Sequence, residues 1–592
     1  MSKRVLFNGA VLVRPGASTK IDASQFQNIA LSGLGVVGLI GEADSGESRT
    51  VQVFTSPQGV KNFYRSGDLV EAAQMVADPG NDPRIPAGAQ TIVCYKVNNS
   101  TKSTLAHGAA FVYSSVQYGL RANNVKVGVA TDGGSGRIIT ITDLDDFGVE
   151  ISEVSPTLGL TGKFTIQYVG AGSACTITIS ATTLTTSVTA GPGGENLAIT
   201  FADWNNLGEI IRYIDGLAAY TCSALVTNVA DFDPTNLDAL VAADIRTALT
   251  TIYSRNFDLS DWVNSNSSVI TAALTKGQTG PMAALTTVAM AGGTRGTSAS
   301  SNWVDGFTAL RGTRINQMVP LASADATTAQ GTFTVDAILA ALVAHCKYVS
   351  STVGRNECQG WAGVSKTKAN LIVSANTQNS EHVVLLGQKA KRARQADGDL
   401  VFFSEWSTAC LLAGMRAGAP LGEPLTWKFV NCLGLSSDSS WKESNNDDVS
   451  DLTLNGLTVI NEVKGKGFRI DKCITTFTKF DNDAYTEETI VQIWKAYAFD
   501  LRSALETKYV GRPGNLKTVK QVPGTVTTVS ELYVDAGALT GSVVDGKQLK
   551  AYRNITYTLS GDQLAVGVTI SPTPGINFVL GTIVLVPASI SG

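Results

Sequence analysis

The chain is poor in charge. Charged residues make up 16% of its 592 residues, against roughly 25% in ordinary soluble domains. The formal net charge is −4 at pH 7, so long-range attraction to nucleic acid or acidic lipid is not expected. Ser, Thr, Asn and Gly must cover much of the surface. Such a surface tolerates burial against neighbours, because few charges need desolvating. Histidine is scarcer still: only His107, His345 and His382 occur. The eight cysteines are scattered and form no CxxC pair, and the chain is far too long for a disulfide-stapled miniprotein. They read as reduced thiols of a cytoplasm, used as small apolar groups. No GxxxxGK[ST] phosphate loop is present. The longest apolar runs, Ile29–Ile40 and Phe578–Ile590, are broken by Gly or Ser. Both are shorter than the ~20 residues of a membrane helix. The start, MSKRVLFNGAVLVRPGA, is interrupted at Asn8-Gly9 and makes a poor signal peptide.

What is present alternates. Residues 1–22 read as an arm, with short β-type runs at Val5-Leu6-Phe7 and Val11-Leu12-Val13, then Pro15-Gly16. Gly35–Gly41, Val51–Phe54 and Ala89–Val97 read as strands. Ser56 can cap a helix that opens with Pro57, and Asp68–Met75 suggests another. Strand and helix in alternation argue for an α/β fold. From 110 to 200 short alternating strands take over, which suggests a β-sandwich or small barrel inserted into the core. A helical face returns with Leu207, Ile210, Ile211, Ile214 and Leu217. Thr334 or Asp336 can cap a helix carrying Ile338, Leu339, Leu342, Val343 and Cys346. Leu371-Ile372-Val373 and His382–Leu386 read as strands, and 435–455 as a polar connector. The clearest helix carries Ile490, Ile493, Trp494, Tyr497, Leu501 and Leu505, with Asp483 or Thr486 as its cap. Then follow β-type runs at Thr525–Val529, Ile555–Leu559 and Leu564–Ile570. The last, Ile576–Val586, is the most β-prone of all.

Three chemical signals deserve weighing. Gly296-Thr297-Ser298-Ala299 is the kind of turn that presents a nucleophilic serine. A serine nucleophile needs a histidine base and an orienting acid. None of the three histidines lies in a His-Gly-Thr context, and each reads as structural. Gly33-Leu34-Gly35-Val36-Val37-Gly38 matches GxGxxG, but strand then loop follows, not a helix, and 51–60 hold no acid. Close strand packing explains these glycines better than a dinucleotide. Asn446-Asp447-Asp448 and Asp481-Asn482-Asp483 lack the rest of a calcium loop and read as turns or helix caps. No catalytic, cofactor or metal-binding residue is assigned.

Order and spacing carry a resemblance. Ala289–Thr297 (AMAGGTRGT) resembles the LxGGxDGT turn of contractile tail sheath proteins of bacteriophages, with Arg295 where many of that family have an acid. Ser300–Arg311 stands where the family has a helix, and Ala344-His345-Cys346 where it has AHC. Gly35–Ala43 (GVVGLIGEA) looks like the first core strand. Thr55–Tyr64 and Gly67–Met75 look like the family's two helices with a GDL turn. Tyr118–Val129 is similar to the stretch that leads into the family's inserted β domain, and Asn461–Cys473 with 486–508 looks like the start of its C-terminal domain. The long span 514–592 is richer in β sequence than the family leads one to expect.

The resemblance implies a multidomain α/β chain. Residues 1–22 would be a linking arm and 23–105 the first part of the core. Residues 106–203 would be an inserted β domain, and 204–455 a subtilisin-like α/β domain without its catalytic residues. Residues 456–592 would be an α+β C-terminal domain ending in a strand arm. It implies six-membered rings of this chain stacked around a tail tube protein, with baseplate and tail terminator proteins as further partners, assembled in a host cytoplasm into a virion tail. No cofactor, nucleic acid or membrane contact is implied. The arms would exchange strands between copies through Val5, Leu6, Phe7, Val11, Leu12, Val13, Phe578, Val579, Leu580, Ile583, Val584 and Leu585. Pro15-Gly16 and Pro574-Gly575 would be their hinges. A non-contractile virion tube, a serine hydrolase working through Ser298 and a carbohydrate-binding insert stay open as alternatives.

Overall fold

The structure, a computed structural model, describes residues 5–7, 10–12, 31, 33–80, 82–144, 149–328, 331–480 and 482–577. At its centre is a six-stranded sheet. In chain order its strands are β1 (Val36–Gly41), β2 (Val51–Phe54), β3 (Thr91–Lys96), β4 (Gln317–Pro320), β5 (Gln359–Gly363) and β6 (Val383–Leu386). Their spatial order is β6-β5-β4-β1-β3-β2. All neighbours are parallel except β2, which runs antiparallel to β3. Alternate side chains feed opposite faces. Val37 and Leu39 of β1 enter one core with the helices Asp68–Ala77 and Trp406–Gly418. Ile40 enters the other, beneath the helices Ser300–Ala309 and Val335–Val349. A sheet buried on both faces needs near-continuous apolar strands, and these have them.

The local expectations around β1 to β3 hold. Ser56 accepts a hydrogen bond from the Gly59 N–H and caps Pro57–Tyr64. The glycines of the GxGxxG run sit in or beside a strand. A Cβ on Gly38 would lie 2.9 Å from Ile315, and one on Gly41 2.6 Å from Leu321. Close packing thus accounts for Gly38 of the run and for Gly41 just beyond it, whereas a Cβ on Gly33 would meet nothing within 4 Å.

Other readings need correction. Leu371-Ile372-Val373 lies in a helix, Lys368–Gln378. Its buried positions are Leu371, Ser374 and Ala375, a helical spacing. Thr525–Val529 also lies in a helix, Val522–Asp535, opened by Pro523. Val522, Val526, Val529 and Tyr533 bury one side of it, and the Tyr533 ring meets Tyr497 of the helix Glu488–Tyr509 at 5.2 Å. Tertiary packing there overrides β-branched preference. The span 435–455 is more than a connector: it holds the strand Leu435–Ser437 and the helix Asn446–Leu454, with Trp441, Val449 and Leu452 buried. Neither Asp483 nor Thr486 caps the long helix. They bound a short helix capped by Asn482, and Glu487 stands before Glu488–Tyr509.

The insert is larger than its strand pattern suggested. Leu285–Ala289 pairs with Lys126–Asp132, Ile270–Leu274 with Phe111–Tyr118, Thr250–Ile252 with Phe164–Tyr168, and Leu240–Asp244 with Ala174–Ile179. Sheet pairing therefore runs on to Ala289, past the boundary drawn at 203. It forms four small sheets rather than one sandwich or barrel. They close over two cores, filled in part by the helices Leu207–Asp215 and Arg255–Asn266.

The C-terminal helix is fastened to the core by charge. Arg416 Nε donates to Glu488 Oε1 at 2.9 Å and an NH2 of the same guanidinium to Oε2 at 2.5 Å. Both side chains are fully buried. All eight cysteines are free and buried.

Candidate assembly elements and the serine corner

The Ser298 loop runs back from the insert to the core. Gly296 has φ 77°, and a Cβ there would lie 2.0 Å from the Asn99 carbonyl oxygen, so only glycine fits. The loop is stitched down by Asn98, whose Nδ2 donates to the Arg295 carbonyl at 2.7 Å. The buried Ser298 hydroxyl donates to Glu42 Oε1, just after β1. Glu42 Oε2 meets Arg295 at 2.9 Å, and Arg295 also meets Asp44 at 2.9 Å. Nearby Asp68 is pushed up to about 7 by burial and then by the Glu42 carboxylate, while Arg295 opposes the shift.

This corner gives Ser298 a carboxylate partner that an arginine already holds. Each histidine is engaged elsewhere. His345 packs on Phe307, ring to ring at 5.5 Å, and burial pushes it down to about 4. His382 lies 3.4 Å from Glu381, and burial with the Lys495 charge pushes it down to about 2. His107 bonds the Ala283 carbonyl inside the insert at 2.9 Å. The Ser298 hydroxyl is a fixed donor to a carboxylate that Arg295 also holds, and none of the three histidines stands beside it as the base of a Ser-His-Asp relay. Among the described residues no group of His, Cys, Asp or Glu is arranged to hold a metal ion. No helix there is long and apolar enough to cross a membrane.

The two ends carry the other expected site residues. Val5–Phe7 and Ala10–Leu12 pair antiparallel with each other. Strand exchange between copies was expected of the first arm; within the chain, one edge of each of its two strands is already satisfied by the other. That two-stranded sheet joins no further strand among the described residues. Val13, Pro15 and Gly16 lie outside the described residues, as do Phe578, Val579, Leu580, Ile583, Val584 and Leu585. Pro574 and Gly575 are described, and bonds flank them on both sides. Thr573 donates through N–H to the Ala538 carbonyl at 2.9 Å and through Oγ1 to the Gly537 carbonyl at 2.8 Å. Asn577 Nδ2 donates to Glu487 Oε2 at 3.3 Å. Residues 571–577 are thus laid onto the body. Just before them, Tyr552–Ser560 and Gln563–Ile570 form a two-stranded sheet with both outer edges unpaired among the described residues. The β2 edge of the central sheet is likewise unpaired, with Val53 59% exposed. These edges carry free N–H and C=O groups that could receive a strand.

Nothing in the bare sequence pointed to those edges, because an edge is defined by what fails to pair. No protein-family model matches the chain. Individual proteins do. A tail sheath protein of Bacillus phage SP01 is 22% identical over 587 residues, 97% of this chain and 96% of that one. A putative tail sheath protein of Enterococcus phage phiEF24C is 21% identical over 95% of each chain. The tail sheath protein of Staphylococcus phage Twort is 22% identical over 86% of this chain and 87% of its own. This chain resembles phage tail sheath proteins along nearly its whole length. Two solved sheath tail proteins share the fold at 12% identity. One, from Desulfitobacterium hafniense, has a TM-score of 0.53 and covers 94% of this chain and 100% of its own; the other, from Listeria innocua, has 0.52 with 92% and 93% covered. These are names of structural parts. The relatives matched over nearly the full chain are named as tail sheath proteins, which are structural proteins and not enzymes.

Proposed function

We propose that this chain is the subunit of a contractile tail sheath. Copies polymerise as stacked six-membered rings around a tail tube and contract to drive the tube through a host envelope. The observation that carries this reading is the end-to-end match to phage tail sheath proteins. The low charge of the surface fits a molecule covered by its neighbours. In the same reading the central sheet is a subtilisin-like scaffold put to structural use. The tube protein, baseplate and terminator are the partners, and the particle is built in the host cytoplasm and carried in the virion.

The coupling between copies is main-chain pairing. The first arm, Val5–Leu12, presents the outer edges of its hairpin to a neighbour, and the last arm, Phe578–Leu585, brings one more strand. The edges of Tyr552–Ile570 receive them. Main-chain pairing survives rotation of the bodies it joins. The swing of the last arm falls beyond Asn577, because Pro574-Gly575 lies between anchored residues. Contraction needs no fuel: the extended tube is a trapped state that relaxes to a contact set burying more surface. A gain of about 1 kcal/mol per copy, the scale of one hydrogen bond, becomes large over many copies. Removing residues 1–15 tests the coupling. Soluble, folded monomers that form no tubes under electron microscopy are expected. Full-length contractile tubes from that truncation would refute it.

A further inference from the structure

An exposed aromatic cluster stands where the chain leaves the body. The Phe477 and Phe480 rings meet at 4.9 Å, and Tyr485 meets Phe477 at 5.2 Å. Phe480 is 50% exposed and Tyr485 37%. Two residues after Tyr485 comes Glu487, the residue that holds Asn577. At about 3.5 Å per residue, Glu487 is roughly 7 Å along the chain from Tyr485, and four residues past Asn577 span about 14 Å. The cluster is within reach of the departing chain.

Two further observations point to what covers it. Glu487 Oε1 and Asn577 Oδ1 are buried and have no hydrogen-bond partner among the described residues. Both are acceptors at the exit point, and a continuing backbone would offer N–H donors. The chain that continues is strongly apolar: eight of the eleven residues from Ile576 to Val586 are apolar. Ile576 itself is 85% exposed. A free segment of this composition would aggregate.

We infer that residues Phe578–Val586 dock on the Phe477–Phe480–Tyr485 cluster of their own chain before assembly, and leave it for a neighbour when rings form. The inference rests on the strand-exchange reading above. Tethered by Asn577, the segment meets its own cluster at an effective concentration in the millimolar range. A free neighbour at micromolar concentration cannot compete. Within a ring the neighbour's sheet edge is equally close and adds main-chain hydrogen bonds, so the exchange becomes favourable. The docked state keeps an adhesive strand covered while subunits accumulate.

The test uses the full chain. With Lys479→Cys and Val579→Cys, mild oxidation of dilute protein should give an intrachain disulfide whose yield does not change with concentration. Cross-links only between chains, or none, would overturn the inference. In parallel, hydrogen exchange is measured on residues 578–586. Protection is expected in the monomer, and Phe480→Ser with Tyr485→Ser should lower it about tenfold or more, as expected for losing a buried aromatic contact, while shortening the lag before tubes form. Exchange at the free-chain rate in the unaltered monomer, or protection indifferent to the two substitutions, would overturn it. A chain ending at 577 separates the two ideas. If it forms regular tubes, exchange of the last strand is itself wrong. If it forms none while the monomer tail is unprotected, exchange stands and self-docking falls.

Discussion

Arg416 and Arg295 each hold a carboxylate across a junction, yet the two joints are built in opposite ways. Arg416 binds Glu488 in a fork, both side chains fully buried, and ties the last long helix to the core. Arg295 is 29% exposed and is shared between Glu42 and Asp44, with Asp68 close by. The first joint is specific and unforgiving, because a charge left alone in the interior has nowhere to go. The second is crowded, wetted and adjustable. The difference suggests where the molecule can move: at the loop joining insert to core, not at the seat of the C-terminal helix.

The largest effect expected comes from breaking the buried joint. Arg416→Ala should cost about 3–5 kcal/mol, read as a drop in the urea midpoint. Arg416→Met with Glu488→Leu should recover most of it. If the single change proves silent, the joint does not fasten the helix. The contrast sharpens with pH. His345 and His382 have folded values near 4 and 2, well below the ordinary value of about 6.5. Their contribution is complete above pH 6.5 and lost as pH falls towards those values. Each should cost about 2 kcal/mol at pH 5. Asp68 works in the opposite sense. Its folded value near 7 means that stability falls as pH rises from about 4 to 7. Denaturant midpoints between pH 5 and 7, with His345→Gln and His382→Gln removing their share of the slope, measure this.

Smaller changes belong to the exposed joint. Arg295→Ala should cost about 1 kcal/mol, and should raise the Asp68 value further by removing the charge that opposes it. Protease cutting within 291–299 should quicken while the core's unfolding midpoint barely moves. An equal loss of core stability would erase the distinction between the two joints. Least of all is expected from Ser298→Ala: less than about 1 kcal/mol, because Glu42 keeps Arg295, and tubes that assemble as before. A serine-directed fluorophosphonate probe should leave Ser298 unlabelled; labelling would reopen the hydrolase reading.

Much of the core could be read in advance because its signals are local. Ser56-Pro57 announces a helix, and Gly35–Gly41 an apolar strand, within a few residues of chain. The helix Glu488–Tyr509 declares itself by an unbroken stripe. Leu371–Val373 and Thr525–Val529 mislead because a short run of β-branched or apolar residues looks alike in either structure. What decides them is a packing partner such as Tyr497 for Tyr533. The insert's far boundary rests on Leu285–Ala289 meeting Lys126–Asp132, a pairing no local pattern reports. The serine corner is similar: the Gly296–Ala299 turn is visible, but Glu42 lies 256 residues away. The paired first arm was missed because Asn8-Gly9 was read as an interruption, although Asn-Gly between β runs is a hairpin signal.

The eight buried thiols have a practical meaning. Burial pushes Cys222 and Cys432 up to about 12 and also raises Cys94, Cys175, Cys358, Cys410 and Cys473, so these seven stay protonated near neutral pH. If the chain serves in a virion tail as proposed, such thiols would add no accidental covalent bonds outside the cell, and its joints would keep the strength they had on the day they formed. The same silence gives the experimenter a clean background, in which any cysteine placed on the surface is the thiol that answers.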